Sequence, residues 1–589
     1  MNGEELLTLM RVAQGREPAD LVVRNGRILN VYTGEIHEGW ALAAKGERIA
    51  YLGPQEAAPV GPATQVIDAE GQVVIPGLVE SHTHLIARCS IEEFLRYAVP
   101  GGTTTIVTEV IEMGSVLGLK GIMAPIEAMS NQPIKIYFTA PPLVGLAPFM
   151  EKTRPSLEEY RRLLARPDVV GTGEAYWGSV VLREDREVLD LLAAAREAGK
   201  VVEGHSAGAR NQKLIAYGAA GASSCHEPIN AQEVMERLRL GIHVQMREGW
   251  IRQDLEAIAP VWGQLADTHR LSLATDTVEP SDLLRHGYLE KNLQKAIDLG
   301  LDPVKAVQMC TVNPAEHFRL DQDLGALAPG RYADLILLPD LKTIRARLVV
   351  SNGRVVAVDG RMVVEPRRPV YPPELYHTVM LPRPLSAQDF LVPAPDSSRK
   401  SLQVRAIEMV TDLVTQEAQV EVPVVGAQGP APLLSPRPDD DIILIAAANR
   451  STDVGQMFVG FVRGLGLRQG ALATTTAWDC NLLLVVGANP ADMAAAVNRL
   501  VETQGGAVIY VNGQRREEWQ APICGLICQD SLPKIVAELE SLDQALRELG
   551  APFRSPLLTI EALTTPAIPH LRMSERGYVR LRDMALLGL

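Results

Sequence analysis

Between Gln72 and Val278, short apolar runs recur and most of the gaps between them hold helical sequence. The runs are VVIPGLVESH (73–82), TTTIVTEV (103–110), IKIYFTAP (134–141), VVGTGEAY (169–176), VVEGH (201–205), ASSCHEP (222–228), IHVQMRE (242–248) and SLATDT (272–277). Helical sequence lies between them, as at Asp185–Ala198 and Ala231–Leu238. Strands alternating with helices in this way predict an α/β fold, a TIM-like (β/α)8 barrel over 71–332. A doubly wound open sheet is the competitor, but no GxGxxG follows any of the runs.

The barrel is flanked by β-like sequence on both sides. Before it stand Leu21–Asn25, Arg27–Val31, Trp40–Ala44 and Arg48–Leu52, parted by turns such as Asn25-Gly26. After it stand Ala333–Leu338, Arg345–Val350 and Val355–Val358. These flanks predict a small β-sandwich split between 1–70 and 333–365, with the barrel inserted into it. Residues 4–14 have the pattern of a short amphipathic helix, and Asp282–Leu299 and Pro303–Thr311 read as helical. Pro-rich residues 366–400 read as a linker or wrapping segment. A C-terminal α/β domain is expected over 401–589, marked by apolar runs at Asp441–Ala447 and Leu482–Gly487 and by helices at Ala491–Glu502 and Pro533–Leu549.

Composition narrows the function classes. The chain carries 57 Lys and Arg against 71 Asp and Glu, a net charge of −14. A nucleic-acid partner is not expected without a basic footprint. The longest apolar runs, such as Ile442–Ala448, fall far short of the roughly 20 residues that span a bilayer. The opening MNGEELLTLM has no basic and apolar segment of a signal peptide. Six cysteines cannot make a disulfide framework in a chain of this size. The expectation is a cytoplasmic enzyme or binding protein with no membrane partner.

The first run ends in Glu80-Ser81-His82-Thr83-His84. In extended backbone, residues two apart point to one side, so His82 and His84 can reach one metal together. Further ligand-type residues stand at the ends of later runs: Glu174, His205, His226 and Asp276. Barrel active sites lie at the C-terminal strand ends. Four histidines and two carboxylates converging there suit first-row divalent metals. A metal lowers the pKa of water, the attack falls on an sp² carbon, and Asp276 is placed to accept the water's proton and pass it to the leaving group.

The motifs PGLVESHTH (76–84), EGHSAG (203–208), SCHEP (224–228), ATD (274–276) and LGALAPGRYADLILL (324–338) resemble those of the amidohydrolase superfamily. Nearly the whole chain is similar to the adenine deaminase family within it. Segments such as GTGEAYWGSV (171–180), MERLRLGIHVQMREG (235–249) and VGFVRGLGLRQGALA (459–473) carry that resemblance. It implies His82 and His84 as first-strand ligands and Glu174 as a bridging carboxylate. It also implies His205 and His226 as further ligands, Asp276 as the last-strand acid, and two divalent ions (manganese, iron or zinc) as cofactors. The reaction implied is deamination of adenine or a related aminated heterocycle with release of ammonia. Hydrolysis of a cyclic amide at the same centre, or ligand binding without catalysis, are the alternatives.

Several polar positions depart from the family pattern. Glu109-Val110-Ile111-Glu112 stands for Asp-Pro-His-Glu, and Asp276-Thr277-Val278-Glu279-Pro280 for Asp-Asp-Arg-His-Pro. Further on, Arg450-Ser451 stands for Arg-His, and Ala477-Trp478-Asp479-Cys480-Asn481 for Ala-His-Asp-Ser-His. Buried polar groups set heterocycle selectivity, so these changes predict a shifted substrate preference. Candidate substrate contacts are Glu109, Glu112, Trp177, Arg247, Glu248 and Thr277. The expected partners are a small heterocyclic substrate and a second copy of the chain in a homodimer.

Overall fold

The computed structural model describes all residues except 86–87, 146–147, 397, 427–431 and 569. Among the described residues, eight parallel strands build the barrel: β1 (Leu78–Thr83), β2 (Thr103–Thr108), β3 (Lys135–Ala140), β4 (Val169–Tyr176), β5 (Val201–His205), β6 (Ser224–Cys225), β7 (His243–Arg247) and β8 (Leu271–Ala274). The ring closes through a parallel bridge between Thr83 and Asp276. At the other seam Ser223 N–H donates to Val202 O at 2.8 Å. β1, β2, β5 and β7 are buried at every position, as strands are when helices cover one face and the barrel core the other. Helix Arg186–Glu197 starts where Asp185 accepts from the backbone N–H of Glu187 and Val188, a side-chain N-cap.

The run 73–82 divides, where the sequence reads as one barrel strand. Val73–Pro76 pairs antiparallel with Leu335–Leu338 outside the barrel, and only Leu78–Thr83 enters it. Pro76 cannot donate to a ladder. Gly77 lets the backbone pass so close to Thr104 that an added Cβ would sit 2.1 Å from its hydroxyl oxygen. The segment Asp282–Leu299 is likewise two helices, Pro280–His286 and Leu289–Asp298, parted at Gly287, whose φ of 85° is left-handed.

Outside the barrel, Val73–Pro76 lies parallel to Arg27–Leu29, while Leu335–Leu338 runs antiparallel to Leu348–Ser351. A second sheet joins Leu21–Arg24 to Trp40–Lys45 and to Gln65–Asp68. The two sheets share a core that includes Leu21, Ile28, Leu42, Val74, Leu335 and Val350. Residues 366–400 contribute a strand, Val392–Pro393, to the edge of the C-terminal sheet. That sheet has ten strands among the described residues, mostly antiparallel. Its strand Ile442–Asn449 is buried throughout because both faces are covered. Ile443 and Ile445 pack in one cluster with Ile535 and Leu542 of helix Leu532–Glu548. Leu444 and Ala446 pack in another with Val497 and Leu500 of helix Pro490–Thr503. No helix among the described residues is long and apolar enough to cross a membrane.

Candidate metal centre and active site

His82 stands on β1 and His84 just beyond it, Glu174 near the end of β4, and His205 at the end of β5. His226 directly follows β6, and Asp276 lies two residues beyond β8. Their side chains meet inside the barrel mouth. Glu174 Oε1 lies 3.3 Å from His82 Nε2, 3.5 Å from His84 Nε2 and 3.1 Å from His226 Nε2. Its Oε2 lies 3.3 Å from His205 Nδ1. Asp276 Oδ1 is 3.6 Å from the Nε2 atoms of both His82 and His84. The rings of His82 and His226 stack at 4.0 Å.

This donor set fits divalent cations. The ligand atoms of His82, His84, Glu174 and Asp276 lie within 4.8 Å of one another, and so do those of Glu174, His205 and His226. His82 Nε2 and both ring nitrogens of His205 are buried with no hydrogen-bond partner among the described residues. Buried polar atoms left unmatched in this way are what a bound ion satisfies. The charge balance points the same way. Burial disfavours a charged His82, yet Asp276 and Glu174 push it up to about 10. Burial alone would raise Glu174, but His205 and His226 hold it well below the usual carboxylate range. Cations in the cluster would neutralise the same carboxylates without protons on the rings.

Asp276 adopts a left-handed backbone with φ of 61°. Its N–H donates to His82 O at 3.0 Å and its carbonyl accepts from His84 N–H at 2.7 Å. These two bonds hold an unfavourable conformation in place, as is common at active sites. Arg247, at the end of β7, donates from Nη1 to Asp276 Oδ2 at 3.0 Å and to Glu227 Oε1 at 2.5 Å. Burial opposes ionisation of Asp276, but His82 and Arg247 hold its carboxyl well below the usual range.

The other expected residues separate into two sets. Glu112 Oε1 meets His84 Nδ1 at 2.5 Å and so fixes which ring nitrogen faces the centre. Glu109 is buried against Gly173, neither of its oxygens having a hydrogen-bond partner among the described residues. Burial and the charge of Glu174 push its carboxyl up to about 8. The polar atoms of the second set are engaged in other contacts. Glu248, one residue past the end of β7, turns to the side opposite Arg247, where it meets Lys295 Nζ at 2.5 Å. Trp177 Nε1 donates to Ala207 O at 2.8 Å, and Thr277 Oγ1 donates back to Asp276 O at 2.8 Å.

Two residues of the site went unnoticed in the sequence. Glu227 Oε1 is 3.2 Å from His226 Nε2, and His226, Glu227 and Asp276 form a third group able to hold a metal. Its signal was its place beside His226 in SCHEP. Tyr176 sets its ring edge-on to His205 at 4.7 Å; nothing in its local pattern marks it.

Residues 73–363 match the model of the amidohydrolase family, and residues 412–585 match that of the adenine deaminase C-terminal domain. The adenine deaminase of Moorella thermoacetica is 38% identical over 587 residues, covering 99% of this chain and 97% of that one. The adenine deaminase of Desulforamulus reducens is 34% identical over 583 residues, covering 98% and 97%. That of Cenarchaeum symbiosum is 33% identical over 578 residues, covering 98% and 93%. Barrel, metal-ligand cluster and family match together define a hydrolase of the amidohydrolase type, acting on carbon–nitrogen bonds other than peptide bonds. Within that class, the chain belongs to the adenine deaminase family.

Proposed function

We propose that the protein removes the exocyclic amino group of a planar heterocycle, adenine or a close analogue, by hydrolysis. The carbon–nitrogen bond breaks, water supplies the oxygen that replaces the amino group, and the nitrogen leaves as ammonia. The observation that carries this reading is the convergence of His82, His84, Glu174, His205, His226 and Asp276 at one barrel mouth. Adenine stands first among substrates because the full-length relatives are adenine deaminases.

His82, His84 and Asp276 on one side and His205 and His226 on the other, with Glu174 between them, suit two divalent ions of manganese, iron or zinc. Such ions would supply Lewis acidity, lowering the pKa of water to about 7. Asp276 has Oδ2 committed to Arg247, which leaves Oδ1 to take a proton and return it to the departing nitrogen. Glu112 orients His84, and Glu109 offers its unmatched carboxyl to the ring of the substrate.

The test is ammonia release by purified protein loaded with manganese or iron, assayed against purines, pterins, pyrimidines and cyclic amides. Ammonia appearing mole for mole with loss of an aminated purine is expected. Ring opening of a cyclic amide without ammonia would replace this reading, and a protein that binds ligand without turnover or metal would end it.

A further inference from the structure

Three of the candidate ligands, Glu174, His205 and His226, form a group of their own. Glu174 stands near the end of β4, His205 ends β5 and His226 follows β6. The short turn 206–209, directly after His205, is tied to both neighbours. Ala209 N–H closes the turn on Ser206 O at 3.0 Å, and Gly208 takes a left-handed φ of 74°. From the β4 side, Trp177 Nε1 donates to Ala207 O at 2.8 Å. Tyr217 supports the same side: its hydroxyl accepts from His205 N–H at 3.0 Å and donates to the carbonyl of Ala175, next to Glu174.

From the β6 side, the turn is held by Arg237 on helix Ala231–Arg239, which follows β6. Nη2 donates to Ser206 O and Ala209 O, both at 3.0 Å, and lies 3.3 Å from Ser206 Oγ. Ser206 Oγ in turn is 2.8 Å from Sγ of Cys225, the residue before His226. One guanidinium thus reaches the turn behind His205 and, through Ser206, the strand end that presents His226. Arg210, just past the turn, returns the contact by meeting Glu233 Oε1 of the same helix at 2.7 Å.

Arg237 is 1% exposed, and its one ion pair among the described residues is with Glu236, its neighbour in the helix, at 3.5 Å. Burying a charge without a close counter-charge costs free energy, and an apolar side chain would anchor the helix without that cost. What an apolar side chain cannot do is hold two carbonyl oxygens at once. We propose that Arg237 is a positioning residue for one of the two ions, fixing the turn behind His205 against the end of β6 so that Glu174, His205 and His226 converge on one cation. This rests on the two-ion reading above. His82, His84 and Asp276 belong to the other ligand group, and none of the hydrogen bonds of Arg237 reaches them.

The test is manganese binding by the whole chain, followed by titration calorimetry and EPR spectroscopy, in Arg237→Met, Arg237→Lys and Ser206→Ala. Loss of a group that orients metal ligands typically costs about 10–100-fold in affinity. That loss is expected for one ion in Arg237→Met, with the other bound as in the unmodified protein. The EPR signal of a coupled manganese pair should give way to that of an isolated ion. Arg237→Lys keeps the charge and should recover part of the loss, and Ser206→Ala should weaken the same ion by less. A purely structural role would lower the melting temperature and leave the ratio of the two affinities unchanged; that result, or equal weakening of both ions, overturns the proposal. If Arg237→Met does not fold, the other two variants decide: selective weakening of one ion in either upholds the proposal, and any other result refutes it. If the unmodified protein takes up a single manganese ion, the two-ion reading fails by itself. Arg237 is then upheld when that ion binds at least about tenfold more weakly to its variants, and refuted when it binds equally. No manganese uptake by the unmodified protein refutes both.

Discussion

Arg88 and Glu561, 473 positions apart in the chain, meet at 2.5 Å in a buried ion pair. Arg88 follows the strand that carries His82, and Glu561 ends helix Pro556–Glu561 of the C-terminal domain. The Arg88 guanidinium also lies over the ring of Trp250 at 4.6 Å, and Glu561 accepts from the hydroxyl of Thr476. The backbone adds to this junction, because Ile527–Cys528 pairs in parallel with Arg88–Cys89. One cluster of side chains thus ties the first barrel loop, the loop after β7 and the C-terminal domain.

Removing one partner of such a pair leaves the other charge buried and unmatched, at a cost of about 3–5 kcal/mol. Arg88→Ala is therefore expected to lower the denaturation midpoint markedly. The double variant Arg88→Met, Glu561→Leu removes both charges and should recover much of the loss. A single variant as stable as the parent in urea would show that the pair contributes little.

Metal and activity should fall together when a ligand is lost. His82→Asn and His205→Asn are each expected to lower the metal bound per chain, measured by elemental analysis, along with ammonia release. The bridging position of Glu174 predicts the deepest loss for Glu174→Ala, since both ligand groups share it. Full activity in metal-stripped His82→Asn would sink the hydrolase reading.

Asp276→Asn should separate chemistry from binding. The amide keeps an oxygen but cannot take a proton. General acid–base catalysis is worth about 10²–10⁴-fold, so kcat should drop by that order while metal content drops far less. Proportionate losses in both would reduce Asp276 to a ligand only.

Glu290 gives the fold a pH dependence away from the site. Its carboxyl lies against Gly101 and Gly287, Oε1 accepts from Tyr288 N–H at 3.1 Å, and Oε2 has no partner among the described residues. Burial pushes its pKa from 4.5 up to about 7. Between those values the folded chain holds a proton that the unfolded chain has released. Its contribution is thus complete below about pH 4.5 and is lost as pH rises through 7. Glu290→Gln should remove a pH-dependent penalty of the order of 3 kcal/mol. Its melting temperature should rise relative to the parent between pH 5 and pH 8; parallel curves would contradict this.

Much of the candidate site was legible because each candidate metal ligand sits in or just beyond a strand whose local pattern announces it. His82 and His84 share a side through the two-residue repeat of extended chain, and Glu174, His205, His226 and Asp276 fall at strand ends where a barrel gathers its chemistry. The turn of Glu248 away from Arg247 follows from the same repeat. Local pattern reports that a residue is buried, but not which neighbour buries it. Val73–Pro76 and Leu78–Thr83 are equally apolar, and only their pairing partners, Leu335–Leu338 and Thr103–Thr108, assign one to the flanking sheet and the other to the barrel. The Arg247 link between Glu227 and Asp276, the Arg88–Glu561 pair and the approach of Trp478 to Trp250 were decided by tertiary structure alone. Each depends on side chains brought together over long sequence separations, where packing of whole sheets and helices, rather than any local periodicity, sets the distance.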